Sequence, residues 1–371
     1  MKVAIISVRT FQYGGVERYA YELVNHLSDH VTVHLFTSKL EGDVTAKVHL
    51  VPAVGRKDLV SVNSFMLFLK SHLKRKSFDI IHSMGPLYLH PDIVTAHICQ
   101  KRLLHDKALF EDFTIKRRAY WKVRTQAASR FQKMSFKNAG TVIAVSSMLK
   151  EELEKAYGIK NITVIHPGIS AEFFHSGSGE ERRKGREKLG FDHNSFIILF
   201  VGSQWERKGL KFALQALSLL NGNAKLLVVG KGDKLIFKRI AEKYGVTNRV
   251  RFAGFQRNIV DSYRISDMLI LPSLYEPFGY PVLEAMAMGL PVVTCKSVGA
   301  SELVEEGRTG YVADKPTDVK QLSLMIKKVM NGSQKTYSTA AKERAHQFLW
   351  EKKIHQIKPL YDEIHQSKLT E

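Results

Sequence analysis

EPFGYPVLEAMAMGLPVV, residues 276–293, sets two glutamates, Glu276 and Glu284, on either side of a Pro-Phe-Gly-Tyr-Pro-Val-Leu segment. An apolar run, MLIL at 268–271, precedes it and reads as a buried strand. Pro272 and Pro277 keep the chain out of helix after that strand. Pro281 suits the first helical position, where its missing N–H would be unpaired anyway. The stretch therefore predicts strand, glycine turn and a helix over Val282–Met288. The amides and positive dipole end of that helix suit an anion. A diphosphate is the natural guest, held by backbone N–H groups near Gly279 and Tyr280, with Phe278 beside them. Glu284, placed in the first helical turn, is within reach of ribose hydroxyls, the task an acid performs in dinucleotide-binding folds. Glu276 then faces the other end of the diphosphate, where a sugar would sit. On physical grounds alone a plainer account stays open, with Glu284 complementing the dipole and Glu276 a solvated loop acid.

The same grammar repeats outward in both directions. Strands are expected at Val3–Val8, Val31–Phe36, Asp79–His82, Ile93–Ala96, Thr141–Val145 and Thr163–Ile165, with a helix over Val16–Leu27 after Gly14-Gly15. The series restarts with Phe196–Val201, a helix from about Lys208, then Lys225–Val229, Val250–Ala253, Met268–Leu271 and Pro291–Thr294. Strands alternating with helical stretches predict parallel, doubly wound sheets. The boundary falls near HPGIS, 166–170, ahead of a polar stretch, SGSGEERRKGREK. This gives an α/β protein of two Rossmann-like domains, whose ligand crevice is expected at the carboxyl ends of the strands.

Composition narrows the possibilities. The 371 residues suffice for two cores. Two cysteines, Cys99 and Cys295, fit a reducing compartment without a disulfide framework. MKVAIISVRT reads as a first strand rather than a signal peptide, and no apolar run reaches the roughly 18 residues of a membrane span. The formal charge is +20, from 56 basic and 36 acidic residues. That excess predicts an anionic partner: nucleotide, nucleic acid or membrane surface.

The two-glutamate stretch resembles the donor-site signature of retaining glycosyltransferases of family 4, enzymes of the two-domain GT-B fold. The resemblance runs nearly the whole length. FQYGGVERYAYEL, 11–23, is similar to the family's N-terminal glycine loop. VGSQWERKGL, 201–210, is similar to its phosphate-binding strand–turn–helix, and VGASELVEEGRTGYV, 298–312, follows the pattern after the donor helix. WEKKIHQIKPLYDEI, 350–364, resembles the closing helix that crosses back to the N-terminal domain. GGVERY, the HPGI turn and the basic segment after Cys99 look most like the glucosyltransferases of lipopolysaccharide core assembly. The resemblance implies an N-terminal, acceptor-side domain over 1–168 with the crossing helix 350–371. It implies a nucleotide-sugar domain over 169–349, the two facing a cleft.

It also implies roles. Glu276 contacts hydroxyls of the donor sugar and Glu284 the ribose. Arg207 and Lys208 neutralise the diphosphate, a role that fits their place at a turn entering a helix, because fixed cations stabilise a leaving group. Gly14 and Gly15 let backbone approach the sugar and diphosphate. His97, in VTAHICQ, matches the family histidine near the sugar's 6-hydroxyl or the transferred carbon; His82 is a poorer candidate. One departure stands out: where many members carry arginine after the strand's Val-Gly, this chain has Ser203. The expected reaction is transfer of a hexose, with UDP-glucose the first donor, to a hydroxyl with retention. There is no Asp-x-Asp, so no metal and no cofactor are expected, and Arg207, Lys208 and helix termini supply the positive charge. A glycosidase-type carboxylate pair, about 5 Å apart on one anomeric carbon, does not fit Glu276 and Glu284. Front-face attack, with the leaving phosphate taking the acceptor's proton, is what the family implies.

Residues 101–137 hold eleven Lys/Arg against three acids, interleaved with Leu103, Leu104, Leu109, Phe110, Phe113, Tyr120, Trp121, Phe131 and Phe136. FMLFLKSHLKRK, 65–76, is a second such stretch. Bases flanking apolar side chains suit an anionic lipid surface, and the expected place is cytoplasmic, on the inner face of the cytoplasmic membrane. The expected acceptor is a glycan, lipid-linked or of lipopolysaccharide type. Nucleic acid is not expected, since no binding module accompanies the charge. A sugar-nucleotide epimerase of the same fold and a non-catalytic basic GT-B protein remain the alternatives.

Overall fold

A computed structural model describes residues 1–55, 58–105, 115–175 and 177–370. The chain divides into two compact units, Met1–Gly168 with Trp350–Glu371, and Ile169–Leu349. In the first, seven parallel strands lie in the spatial order Lys47–Leu50, Thr32–Thr37, Lys2–Ile6, Ile80–Met84, Ile93–Ala96, Thr141–Ala144 and Ile162–Val164. In the second, six lie in the order Val250–Gly254, Ala224–Val229, Phe196–Val201, Met268–Leu271, Val292–Cys295 and Gly310–Ala313. Both sheets therefore start in the middle, grow to one side and then jump to the other, the doubly wound order of a Rossmann fold. The central strands are continuous apolar runs because helices cover both faces: Val3–Ile6 and Ile197–Phe200 are almost wholly removed from solvent.

Several bounds shift for local reasons. The strand expected over Val3–Val8 stops at Ile6, because the Ser7 hydroxyl donates to the Arg9 carbonyl (2.7 Å) and turns the chain. Arg9–Phe11 then pairs with Lys39–Glu41 in a separate two-stranded sheet. The helix expected from Lys208 begins at Leu210, after Gly209 in the left-handed region at φ 76°. A Cβ on Gly209 would lie 1.9 Å from the Pro272 carbonyl oxygen, so the turn admits only glycine.

The C-terminal helix, Trp350–Thr370, folds with the first unit. Trp350 is buried with its ring 5.2 Å from that of Tyr19. The closing turn of the first unit is tight there: a Cβ on Gly168 would meet the Trp350 ring at 2.5 Å. Farther along, Tyr361 meets His82 Nδ1 (2.5 Å), and His82 Nε2 meets Thr95 Oγ1 (2.7 Å), all buried. Lys368 Nζ reaches Asp92 (2.8 Å) and the Asp79 carbonyl (2.6 Å). His82 is thus a core residue that ties the helix to two strands. Burial pushes it down to about 3, with His97 adding to the shift, so it is neutral.

The two basic stretches come out differently. In 65–76, Phe65, Leu69 and Leu73 belong to a core cluster with Ala4, Ile6 and Phe36. Its apolar side is therefore spent on folding, and Leu67 is the exposed large apolar residue left beside Lys70, Lys74 and Lys76. In 101–137, Leu103 and Phe136 are buried, whereas helix Ile115–Lys137 exposes Ile115, Tyr120, Val123 and Met134. Leu109, Phe110 and Phe113 lie outside the described residues. No helix among the described residues is long and apolar enough to cross a membrane.

Removing the Tyr361 hydroxyl leaves His82 Nδ1 short of a buried partner. Tyr361→Phe should lower stability by about 1–3 kcal/mol. Trp350→Ala, which opens a cavity against Tyr19 and Gly168, should cost about 3–5 kcal/mol. Thermal unfolding reads both; wild-type melting in Trp350→Ala would mean the helix contributes little to the first unit.

Candidate functional site

In the second unit, Phe196–Val201 and Met268–Leu271 are neighbouring parallel strands, paired at Ile198–Met268. They are the strands from which the sheet grows in opposite directions, so the loops leaving their carboxyl ends diverge over a crevice. The first loop runs through 202–209 and the second through 272–279. Leu274 N donates to the Arg207 carbonyl (2.9 Å), which holds the two loops together.

Across that contact the charged side chains meet. Arg207 Nη1 donates to the Tyr275 carbonyl (2.6 Å) and to Glu276 Oε2 (2.9 Å). Lys208 Nζ is paired with the same carboxylate oxygen. Burial alone would push the Glu276 carboxyl up; Lys208 and Arg207 outweigh it and hold the group below the ordinary glutamate range. Lys208 is buried, and burial pushes its ammonium down, with Glu276 and then Glu284 acting against the shift. Glu276 is therefore not a free loop acid. It is the shared counter-ion of two cations, and its backbone is fixed as well: Glu276 N donates to Ser297 O (3.0 Å) and Gly299 N to Glu276 O (2.8 Å).

The helix after the loop spans Tyr280–Ala287 rather than Val282–Met288. Gly279, at φ 100°, is its cap; a Cβ there would lie 2.9 Å from Val298 Cγ1. Starting at Tyr280 puts Pro281 one residue into the helix and moves Glu284 out of the first turn into the second. The acid expected beside the helix terminus is thus two residues deeper. Glu284 is buried, and the Tyr263 hydroxyl donates to its Oε2. Phe278 and Tyr280 are also buried, rings edge to face at 5.6 Å, and line the turn rather than project from it.

At Ser203, the position of the missing arginine, the hydroxyl accepts from Lys231 N (3.3 Å). Lys231 follows the adjacent strand Ala224–Val229 and lays its ammonium 4.7 Å from the centre of the Phe255 ring. A cation thus stands at this end of the sheet that the motif alone did not mark. Tyr263 was missed too, since nothing in DSYR announces a partner for a glutamate 21 residues on.

The first unit gathers its own candidates at the corresponding strand ends. Gly14 sits at φ 99° and needs to be glycine; Gly15, the cap of helix Val16–Ser28, has nothing within 4 Å of where a Cβ would be. His97 follows Ile93–Ala96 directly. The Tyr19 ring, on the helix that Gly15 opens, packs edge-on to His97 at 4.9 Å. Burial pushes His97 down to about 3, so the imidazole is neutral, and its Nε2 is buried without a hydrogen-bond partner. Among the described residues no three His, Cys, Asp or Glu side chains form a metal-binding group.

Residues 13–173 match the sequence model of Glycosyltransferase Family 4, and residues 181–348 that of Glycosyl transferases group 1. The chain belongs to the GT-B glycosyltransferases. Its relatives include the lipopolysaccharide glucosyltransferase WaaG of Escherichia coli, 24% identical over 90% of both chains. An uncharacterised glycosyltransferase of Methanocaldococcus jannaschii is 35% identical, though over only 46% of this chain and 45% of that one. Among solved structures, WaaG superposes with a TM-score of 0.75 at 22% identity, covering 93% of this chain and 94% of that one. Anabaena HepE with UDP and glucose gives 0.76 at 20%, covering 98% and 100%. These likenesses establish that the two Rossmann-like units of this glycosyltransferase are those of the GT-B fold.

The ion cluster makes a pH-resolved prediction. A carboxyl held below its unfolded value stabilises the fold above that value, about pH 4.3 for glutamate, and the contribution is lost as pH falls through the lower folded value. Glu276→Gln leaves Lys208 buried beside a neutral amide and should cost about 3–5 kcal/mol at pH 6–7. The gap between wild type and variant should begin to narrow as pH falls past about 4.3 and close as it passes through the lower value at which Glu276 protonates in the folded protein. Melting curves across pH 3–7 check this; a gap independent of pH would remove Glu276 as the counter-ion.

Proposed function

We propose that this glycosyltransferase transfers glucose from UDP-glucose, with retention and without a metal, to a hydroxyl of a lipid-linked or lipopolysaccharide-type glycan at the inner face of the cytoplasmic membrane. The observation that carries the proposal is the Arg207–Lys208–Glu276 cluster at the point where the second sheet reverses direction, beside the start of helix Tyr280–Ala287. Two cations against one carboxylate, next to a positive helix end, leave net positive charge for a diphosphate. The donor follows the UDP and glucose named for HepE, and the acceptor class the lipopolysaccharide glucosyltransferase named for WaaG.

In this reaction the bond from the sugar's anomeric carbon to the diphosphate breaks, and its electron pair stays on the phosphate oxygen. Arg207 and Lys208 stabilise that growing charge, which in a dry site contributes several kcal/mol. The acceptor oxygen bonds to the anomeric carbon on the face that the phosphate leaves, and its proton passes to the departing phosphate. Glu276, fixed by its two cations, presents its remaining acceptor capacity to sugar hydroxyls. Glu284 binds the ribose, and backbone at Gly279 and Tyr280 the phosphates. The neutral His97, with Nε2 unpartnered, suits a hydrogen bond to the sugar, and Gly14 and Gly15 give it room. Helix Ile115–Lys137, with Tyr120, Val123 and Met134 exposed among Lys122, Arg130 and Lys133, supplies the membrane contact.

A thermal-shift panel of UDP, GDP, ADP and their common sugars tests the donor. A ligand at 100 times its Kd stabilises by about 2.7 kcal/mol, and the uridine set should respond most. Glu284→Ala should weaken binding of every nucleotide, because all of them carry the ribose. Glu276→Ala should keep UDP binding but lose transfer at least about a hundredfold. No response to any nucleotide, or wild-type transfer by both variants, would sink the site assignment. Vesicles containing anionic lipid should retain the protein at low salt and release it as salt rises, since each Lys or Arg near the surface contributes about 1 kcal/mol; equal retention by neutral vesicles would refute the charge-based contact.

A further inference from the structure

We infer that Tyr263 is a positioning residue for Glu284, and that it sets how strongly this enzyme tells a ribonucleotide donor from a deoxyribonucleotide. The inference rests on the assignment of Glu284 to the ribose. The final torsion of a glutamate is broad and roughly two-fold, so a carboxylate on a helix has no intrinsic preference for presenting one oxygen. The Tyr263 hydroxyl removes that freedom by donating to Oε2.

Tyr263 itself is well placed to be rigid. It lies on the single-turn helix Val260–Arg264 and is completely buried. Its ring packs edge to face on Phe173, 6.4 Å away at 74°. It lines a cavity of about 290 Å³ with Met288, Gly289 and Leu290, at the C-terminal end of the Glu284 helix. The Tyr263 hydroxyl thus reaches Glu284 from a separate helix. That hydrogen bond fixes the carboxylate plane while taking only one of about four lone-pair sites of the carboxylate.

A fixed carboxylate is a demanding acceptor. A nucleotide lacking one ribose hydroxyl leaves it short of a donor in a buried place, and sites of this kind reject the incomplete ligand strongly. A carboxylate free to turn can find another donor and discriminates less.

The test is the ratio of dissociation constants for 2′-deoxy-UDP and 3′-deoxy-UDP against UDP, by calorimetry on the full chain. Wild type should favour UDP by about tenfold to a hundredfold over at least one of them. Tyr263→Phe should reduce that ratio to within about threefold, while the preference for UDP over GDP stays as in wild type. A merely structural role would weaken all nucleotides alike. Phe173→Leu, which loosens the ring and leaves the hydroxyl, should shift the ratio the same way by less, and it carries the test if Tyr263→Phe does not fold. Glu284→Gln separates the two assignments. If it keeps the wild-type ratio, Glu284 is not the ribose acid and the donor-site reading itself fails. If it loses the ratio while Tyr263→Phe keeps it, the ribose assignment stands and only the role of Tyr263 is overturned.

Discussion

One carboxylate shared by two cations holds the second unit's crevice together. Glu276 sits on the loop after one central strand, and Arg207 and Lys208 on the loop after its neighbour. Taking three charges out of water costs several kcal/mol each, and the attraction repays this only where geometry is good and the remaining donors are satisfied. The neighbouring residues meet that condition. Arg207 also bonds the Tyr275 carbonyl, and Glu276 has both backbone groups tied to the 297–299 segment. Glycine at 209, pressed against Pro272, brings the loops close enough for the pairing. The arrangement holds its excess positive charge on oriented cations rather than on flexible side chains.

Topology explains why this happens where it does. In a doubly wound sheet only one pair of adjacent strands sends its loops to opposite faces. Here that pair is Phe196–Val201 and Met268–Leu271. Both loops must carry glycines, because backbone has to turn sharply out of each strand, and Gly202, Gly209 and Gly279 all take positive φ. The charged residues follow those turns directly, so their spacing in sequence is set by the turn and not by the chemistry.

That is also why so much was legible in advance. The central strands announce themselves as apolar runs, and Phe196–Val201, Ile93–Ala96 and Met268–Leu271 fall where the sequence places them. Edge strands such as Lys47–Leu50 and Gly310–Ala313 do not, being short and partly polar. The charged residues of the two loops could be picked out because turn chemistry and charge coincide in each local string. Glu284 lies two residues farther into its helix than expected, because a helix start depends on whether Gly279 or Pro281 ends the loop, and sequence alone weighs the two alike. The pairing of Glu276 with its cations and of Tyr263 with Glu284 joins residues 69, 68 and 21 positions apart. No local pattern carries such information; it comes only with the folded sheet. The basic stretch at 65–76 shows a related limit: composition counts Phe65, Leu69 and Leu73 without saying that the core claims them.

The two units divide the chemistry unequally. At the strand ends of the second, Arg207, Lys208 and Glu276 form one ion cluster. In the first, burial pushes His97, just past a strand end, down to about 3 and keeps it neutral, and pushes the neighbouring Tyr19 up to about 12. A neutral imidazole neither attracts a phosphate nor repels a cation. It can donate or accept a hydrogen bond without bringing a charge into the buried place it occupies. The packing that buries His97 also fixes it, through Tyr19, to the helix opened by Gly15 and to Trp350 of the C-terminal helix. The last helix of the chain therefore does more than close the first unit. By packing on Tyr19 it helps set the orientation of the His97 ring, whose Nε2 is buried without a hydrogen-bond partner.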